Sequence, residues 1–193
     1  MILTVDIGNT ATTMGLYTPE GTLRFRGALK TDKNKTQDQL AIDLLDMFHL
    51  YQADIGEVTG GVISSVVPPM THAMAGAIRQ LSGVRPMIVG PGVKTGMNIL
   101  AEVHNQLGAD IVASSVAALQ KYPQPIIVID MGTATTLSYL GNNTYEGCVI
   151  IPGVRIAVEA LSGRAAELPH ISIEEPPSVF GRSTIDAMRS GVL

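Results

Sequence analysis

Two segments of the chain have nearly the same sequence. The first is MILTVDIGNTATTMGLY at residues 1–17, and the second is PIIVIDMGTATTLSYL at residues 125–140. Each copy has an apolar run, then Asp-x-Gly, then Thr-Ala-Thr-Thr. This pattern predicts a strand that ends at an acidic residue and returns through a tight turn into a second strand. A repeat of this kind favours a fold built from two related halves.

The rest of the chain alternates between predicted strands and helices. Strands are predicted at 1–6, 12–18 and 22–29, and again at 126–130, 135–140 and 144–149. Helices are predicted after the capping box Thr36-x-x-Gln39, over 70–81, from Asp110 to Lys121 and over 153–163. The segment Tyr122-Pro-Gln-Pro separates the halves. We therefore expect an α/β fold with domains 1–121 and 122–193.

Each repeated turn has the chemistry of a phosphate-binding loop. Gly, Asn and Thr let the chain reverse tightly, which leaves backbone N–H groups and hydroxyls available to an anion. Asp6 and Asp130 would hold the cations that a polyphosphate requires. Asp, Asn and Gly are also common in ordinary hairpin turns, so either copy alone fits a purely structural turn. Two copies at equivalent places favour a nucleotide held from both sides.

Charge and composition exclude several classes of function. The net charge of -4, without a Lys/Arg cluster, offers no basic surface to nucleic acid or to an anionic membrane. No apolar run is long enough to span a membrane, and no signal peptide precedes Asp6. Cys148 is the single cysteine, and its apolar neighbours predict a buried position. We therefore expect a cytoplasmic protein without nucleic-acid or membrane partners.

A third segment, GPGVKTGMNILAEVHNQLGAD at residues 90–110, contains one more candidate. Its Lys94-Thr95 pair does not fit a P-loop, because the glycine required before the lysine is absent. Asp110 has two interpretations. It can cap the helix that follows, or it can act as a general base that takes a proton from a substrate hydroxyl during phosphoryl transfer.

At these positions the chain resembles the type III pantothenate kinases, a family of the acetate kinase, sugar kinase and actin superfamily. The shared segments are DIGNT at 6–10, GPGVKTG at 90–96, GAD at 108–110, DMGTATT at 130–136, GCVIIPG at 147–153, RAAELP at 164–169 and GRSTIDAMRSG at 181–191. The resemblance implies two ribonuclease-H-like halves of β-β-β-α-β-α type around a nucleotide cleft. It also implies ATP-dependent phosphorylation of pantothenate to 4'-phosphopantothenate, the first step of coenzyme A biosynthesis.

The resemblance also implies roles for individual residues. The ATP-binding residues would be Asp6, Ile7, Gly8, Asn9, Thr10, Ala11, Thr12, Thr13 and Thr133. Pantothenate would be bound by Gly108, Ala109, Asp110 and Thr184, with Asp110 as the proton acceptor. Mg²⁺ would lie near Asp6, and Asp130 would bind a monovalent cation, K⁺ or NH₄⁺. Because members of the family are homodimers, a homodimer is implied here too.

The chain departs from the family pattern at three places. Ile111 stands where the family has Arg after Gly-Ala-Asp, and Ala101-Glu102-Val103-His104 stands opposite the family's Tyr-Asp-Asn-Pro. The chain also ends at Leu193, before the segment that completes the second half in the family, so we expect an incomplete second half. These departures leave two alternatives open: a non-catalytic paralogue that binds or regulates, and a kinase for a different small hydroxy acceptor.

Overall fold

The chain divides into two units, Met1–Lys121 and Tyr122–Leu193. The computed structural model describes residues 1–90, 92–100 and 107–193. Both units contain strands and helices, so the predicted α/β class is confirmed. In the described part of the chain, every helix is too short or too polar to cross a lipid bilayer.

The first unit begins with an antiparallel meander of three strands, β1 (Ile2–Ile7), β2 (Ala11–Tyr17) and β3 (Leu23–Lys30). It continues with α1 (Gln37–Leu50), a 3-10 turn (Ile55–Glu57), β4 (Gly60–Ser65), α2 (Pro68–Ser82), β5 (Met87–Ile88), β6 (Asn98–Ile99) and α3 (Ala109–Lys121). The sheet order is β3-β2-β1-β4-β5. Strand β4 pairs in parallel with both β1 and β5, because α1 and α2 provide the crossovers that parallel strands require.

The core of the first unit joins this sheet to α1 and α2. Leu3, Val5 and Ile7 alternate along β1, and each is at most 1% exposed. This is the period of two that a strand shows when one of its faces lies in the core. Burying a side chain of this size stabilises the fold by about 1.5–3 kcal/mol. The register of β1 is therefore fixed, and Asp6 points to the opposite face.

Local signals place the helix ends in this unit. The Thr36 hydroxyl accepts a hydrogen bond from the backbone N–H of Gln39, and the Gln39 side chain accepts one from the backbone N–H of Thr36 at 2.9 Å. The predicted capping box is thus confirmed. Helix α2 begins at Pro68, two residues before the predicted start, because the first turn of a helix does not need the N–H that proline lacks. Gly83, with φ of 74°, ends the helix in a left-handed conformation.

The second unit repeats the meander with β7 (Ile126–Met131), β8 (Ala134–Gly141) and β9 (Thr144–Pro152). Consecutive strands pair in antiparallel fashion. Asn142 and Asn143 have φ of 50° and 57°, as a two-residue hairpin turn requires, and they connect β8 to β9. Helices α4 (Val154–Arg164) and α5 (Thr184–Val192) follow. The predicted second meander and the helix after it are confirmed to within three residues.

The predicted burial of Cys148 is wrong. Its thiol is free and exposed, and the next four residues of β9, through Pro152, are exposed as well. An apolar run indicates a buried strand only where other elements cover both of its faces. The described residues of this unit supply no such cover for the second half of β9.

Candidate active site

The first repeated turn connects β1 to β2 and is closed by a backbone hydrogen bond. The N–H of Gly8 donates to the carbonyl of Ala11 at 3.0 Å. Asp6 lies directly opposite Thr13 in the antiparallel pair and beside Ser64 in the parallel pair. Residues paired in this way share one face of the sheet. The turn therefore presents a carboxylate and a hydroxyl together, on the face away from the α1 and α2 core.

Thr31, just after β3, holds this turn in place. Its hydroxyl donates to the Gly8 carbonyl at 2.8 Å and lies 3.0 Å from the Thr12 hydroxyl. Its backbone N–H donates to the Thr10 carbonyl at 3.0 Å. Thr31 is only 8% exposed, so these bonds are protected from water. No sequence pattern indicates this role, because the partners of Thr31 are distant in the chain.

The other residues of the first turn differ in what they can offer a ligand. Asn9, Thr10 and Ala11 are exposed. Ile7 lies in the core and Thr12 is 2% exposed, so these two residues can reach a ligand only through their backbone groups. The Lys33 ammonium donates to Asn9 Oδ1 at 3.3 Å, which brings a positive charge to the turn.

Asp110 lies in the first turn of α3. Its Oδ1 accepts a hydrogen bond from the backbone N–H of Ile111 at 2.8 Å, one of the N–H groups that the start of a helix leaves unpaired. A side chain at Gly108 would collide with the same oxygen. It would also lie 3.6 Å from Val66, whose N–H donates to the Ile7 carbonyl at 3.0 Å. Asp110 therefore stabilises the helix start, and the preceding Gly108 lies beside Val66, which is bonded to the last residue of β1.

One departure from the family pattern, Ile111, follows Asp110 directly in the chain. Ile111 is half-buried, and its apolar side chain supplies no charge. Another departure, at 101–104, lies outside the described residues.

A pocket of about 560 Å³ opens beside the start of α3. Ala109 and Val112 of α3 line one part of it, and the loop with Lys94 and Thr95 lines another. Met97 is among its apolar lining residues. Small-molecule sites have volumes of roughly 300–1,000 Å³. The pocket therefore has the size and the mixed lining of a site for a small organic molecule.

The second repeated turn resembles the first but is one residue shorter, with two residues between its strands instead of three. Asp130 lies directly opposite Thr136, as the acid of the first turn lies opposite the last threonine of its motif. The N–H of Gly132 donates to the carbonyl of Ala134 at 3.0 Å, the counterpart of the bond that closes the first turn. The repeat in sequence is therefore a repeat in structure.

Gly153, at the start of α4, packs against this second turn. Its N–H donates to the Thr133 carbonyl at 3.1 Å. A Cβ at position 153 would lie 2.5 Å from the Thr133 carbonyl oxygen and still closer to that of Gly132. Only glycine fits there without a backbone shift. The sequence suggested Gly153 as a helix start but not as a support for the turn.

Thr184 is the first residue of α5, and it is exposed. Ser183 caps this helix, since its hydroxyl accepts a hydrogen bond from the backbone N–H of Asp186 at 3.1 Å. The helix start is thus satisfied by its neighbour, and the Thr184 hydroxyl is available to a ligand.

Asp6 and Asp130 each offer a carboxylate rather than a complete metal site. Within residues 1–90, 92–100 and 107–193, no three His, Cys, Asp or Glu side chains are grouped as metal ligands. A single carboxylate suits Mg²⁺ that arrives with a nucleotide, because Mg²⁺ usually keeps several waters and takes phosphate oxygens as ligands. The residues present therefore fit that ion.

Solved structures with the same fold include proteins of different descriptions. A Baf family transcriptional activator from Campylobacter jejuni superposes with a TM-score of 0.58 at 17% identity, over 98% of this chain and 73% of that one. A 2-dehydro-3-deoxygalactonokinase protein from Sinorhizobium meliloti gives a TM-score of 0.50 at 12% identity, over 87% of this chain and 58% of that one. At such low identity these likenesses show the fold alone.

The sequence comparisons are more specific. The family model described as type III pantothenate kinase matches residues 2–193. A type III pantothenate kinase from Listeria welshimeri is 40% identical over 193 residues, which is 100% of this chain and 74% of that protein. A match over nearly the whole sequence cannot come from a shared turn motif alone. The chain belongs to the type III pantothenate kinase family.

Proposed function

We propose that the chain transfers the γ-phosphoryl group of ATP to the hydroxyl of pantothenate and forms 4'-phosphopantothenate, the first step of coenzyme A biosynthesis. The observation that supports this proposal most is the position of Asp110. Asp110 lies in the first turn of α3, whose residues Ala109 and Val112 line a pocket of about 560 Å³. The preceding Gly108 lies beside Val66, whose N–H is bonded to the last residue of β1, just before the first repeated turn. A base, a phosphate turn and an acceptor pocket are the parts that a kinase of small alcohols needs.

ATP would be bound by Asp6–Thr13 and by Thr133. The backbone N–H groups of the first turn would face the phosphates, and Lys33 adds positive charge beside Asn9. Asp6 would hold Mg²⁺, which supplies positive charge to the phosphate oxygens when bound. The bonds from Thr31 keep the turn in one conformation, so it does not have to reorganise when the phosphates arrive.

Asp110 would act as the general base. One of its oxygens is held by the N–H of Ile111, and a carboxylate has a second oxygen that can accept a proton. Taking the proton of the pantothenate hydroxyl as it attacks the γ-phosphorus would leave the phosphate ester on pantothenate and ADP as the second product. Gly108, Ala109 and Thr184 would bind the same substrate, and Gly108 leaves room for the carboxylate.

The monovalent cation, the oligomeric state and the location are proposed from the family resemblance. Asp130 would bind K⁺ or NH₄⁺, since its carboxylate is exposed at the end of β7. We propose that the protein is a homodimer and is cytoplasmic. The exposed free thiol of Cys148 suits a reducing compartment.

Release of ADP in the presence of ATP, Mg²⁺ and K⁺, measured with and without pantothenate, tests the proposal. We expect ADP only when pantothenate is present. Binding of ATP without turnover would indicate the non-catalytic alternative. Turnover only with another hydroxy compound would indicate a different acceptor, an alternative that the uncharged Ile111 motivates.

A further inference from the structure

An exposed lysine, Lys94, is among the residues that line the pocket beside α3. Of its described lining residues, Lys94 is the only one with a charged side chain. The others are glycines, apolar residues, Thr95 and Asn98. A single cation in a mostly apolar pocket favours a ligand with one anionic group and an apolar body.

The loop that carries Lys94 is shaped by glycine on both sides. Gly92 and Gly96 have φ of 91° and 79°, conformations that residues with side chains rarely adopt. The N–H of Val93 donates to the Gly90 carbonyl at 3.2 Å, and the N–H of Met97 donates to the Thr95 hydroxyl at 3.4 Å. These turns place Lys94 on the pocket lining, together with the first turn of α3.

We propose that the Lys94 ammonium binds the carboxylate of the acceptor and so selects an acidic hydroxy compound. This inference rests on the proposed function, which makes pantothenate, a carboxylate, the acceptor. Two of the lining residues, Ala109 and Val112, lie on either side of the proposed base Asp110 in the sequence. Because the base must be next to the acceptor hydroxyl, we assign the pocket to the acceptor and not to ATP. Ile111 offers no charge where the family has Arg, and Lys94 provides a cation from the neighbouring loop.

The test compares Lys94→Met with the wild-type protein on two acceptors. One is pantothenate, and the other is its alcohol analogue, in which a hydroxymethyl group replaces the carboxylate. Loss of a charged hydrogen bond corresponds to about a tenfold to hundredfold rise in KM for pantothenate. We expect that rise, with the KM for ATP and the KM for the alcohol unchanged. Lys121→Met, at the far end of α3, is the matched control and should leave all three values unchanged.

Other changes in KM would contradict the proposed role of Lys94. An equal rise for both acceptors, or no rise, would overturn the role of Lys94, and a rise in the KM for ATP alone would assign Lys94 to the phosphates instead. Calorimetric titration with pantothenate separates this inference from the proposed function. If no acceptor gives ADP but wild-type protein binds pantothenate more tightly than Lys94→Met does, the kinase proposal fails and the Lys94 site stands. If neither protein binds pantothenate, both fail.

Discussion

Two single side chains, Asp110 and Thr31, are central to the candidate site. Asp110, the proposed general base, accepts a hydrogen bond from the backbone N–H of Ile111 in its own helix. Thr31 bonds to Gly8, Thr10 and Thr12 of the turn that we propose binds ATP. The first residue would react, and the second would keep the reacting groups in place.

Replacing Asp110 with Asn should remove the base and keep the shape of the site. The amide oxygen can still accept the N–H of Ile111, so the helix start is preserved. General-base catalysis typically raises a reaction rate by roughly 10²–10⁴-fold. We therefore expect kcat to decrease by a factor in this range, while the affinity for ATP stays the same. Asp54→Asn is the matched control, because Asp54 also accepts a backbone N–H, that of Gly56, at 2.8 Å. Full activity in Asp110→Asn would remove Asp110 from the mechanism.

Thr31→Val should loosen the first turn with almost no change in volume. The substitution leaves the Gly8 carbonyl without its 2.8 Å donor and the Thr12 hydroxyl without its partner. Leaving buried polar groups unpaired costs about 1–3 kcal/mol. We expect a loss of this size in the free energy of unfolding, measured by urea denaturation, together with a higher KM for ATP. Thr22→Val, at an exposed turn between β2 and β3, should change neither value, and equal effects in the two variants would contradict the role of Thr31.

The phenol of Tyr145 should make the second unit less stable at alkaline pH. Burial, and after it the neighbouring Cys148 thiol, raise the pKa of Tyr145 from 10.0 to about 12, against an opposing effect of Ser138. The hydroxyl is close to both groups but is in hydrogen-bonding geometry with neither. Because the folded state holds the phenol proton more tightly, this contribution to stability is complete below pH 10 and is lost as the pH rises toward 12.

The pH effect can be isolated with Tyr145→Phe. As the pH rises from 10 to 12, the free energy of unfolding of the wild type should decrease relative to that of the variant. At pH 7 the variant should be as stable as the wild type or slightly more stable, since it removes a buried hydroxyl without a partner. A difference that stays constant from pH 7 to pH 12 would contradict the raised pKa.

Among the elements, the second turn depends on the start of α4. Gly153→Ala would push a methyl group against the carbonyl oxygens of Gly132 and Thr133, and backbone atoms cannot rotate away as a side chain can. Overpacking of this kind typically costs about 1–3 kcal/mol. We expect a loss of this size in urea denaturation and a higher KM for ATP. Gly163→Ala, in the same helix but with open space around it, should be neutral or slightly stabilising, and the two variants behaving alike would contradict the account.

The elements also show which parts of the fold a sequence can predict. The Thr36 capping box and the hairpin strands depend on residues a few positions apart, so their patterns are visible in the sequence. Thr31 bonds to residues 19 and 23 positions away, and only the fold brings them together. The burial of Cys148 failed as a prediction for a related reason, since exposure depends on what covers a strand and not on its own residues.

Across the whole molecule, the two units repeat one arrangement. In each, an acidic residue faces a threonine across the hairpin, and a glycine N–H bonds to an alanine carbonyl at 3.0 Å. The repeat in sequence was enough to predict these two turns. The family resemblance implied a pantothenate site at Gly108, Ala109 and Asp110, and Ala109 lines the pocket beside α3. The part of the lining formed by the loop with Lys94 was not predicted, because the loop and the helix show no shared pattern in the sequence.

A ³¹P NMR spectrum of the reaction with ATP, Mg²⁺, K⁺ and pantothenate shows directly whether the phosphoryl group reaches pantothenate. With wild-type protein we expect one new phosphomonoester resonance, equal in amount to the ADP formed. With Asp110→Asn we expect this resonance to grow about 10²-fold more slowly, or more slowly still. ADP accompanied only by inorganic phosphate, or a phosphomonoester formed equally fast by Asp110→Asn, would contradict the proposed kinase mechanism.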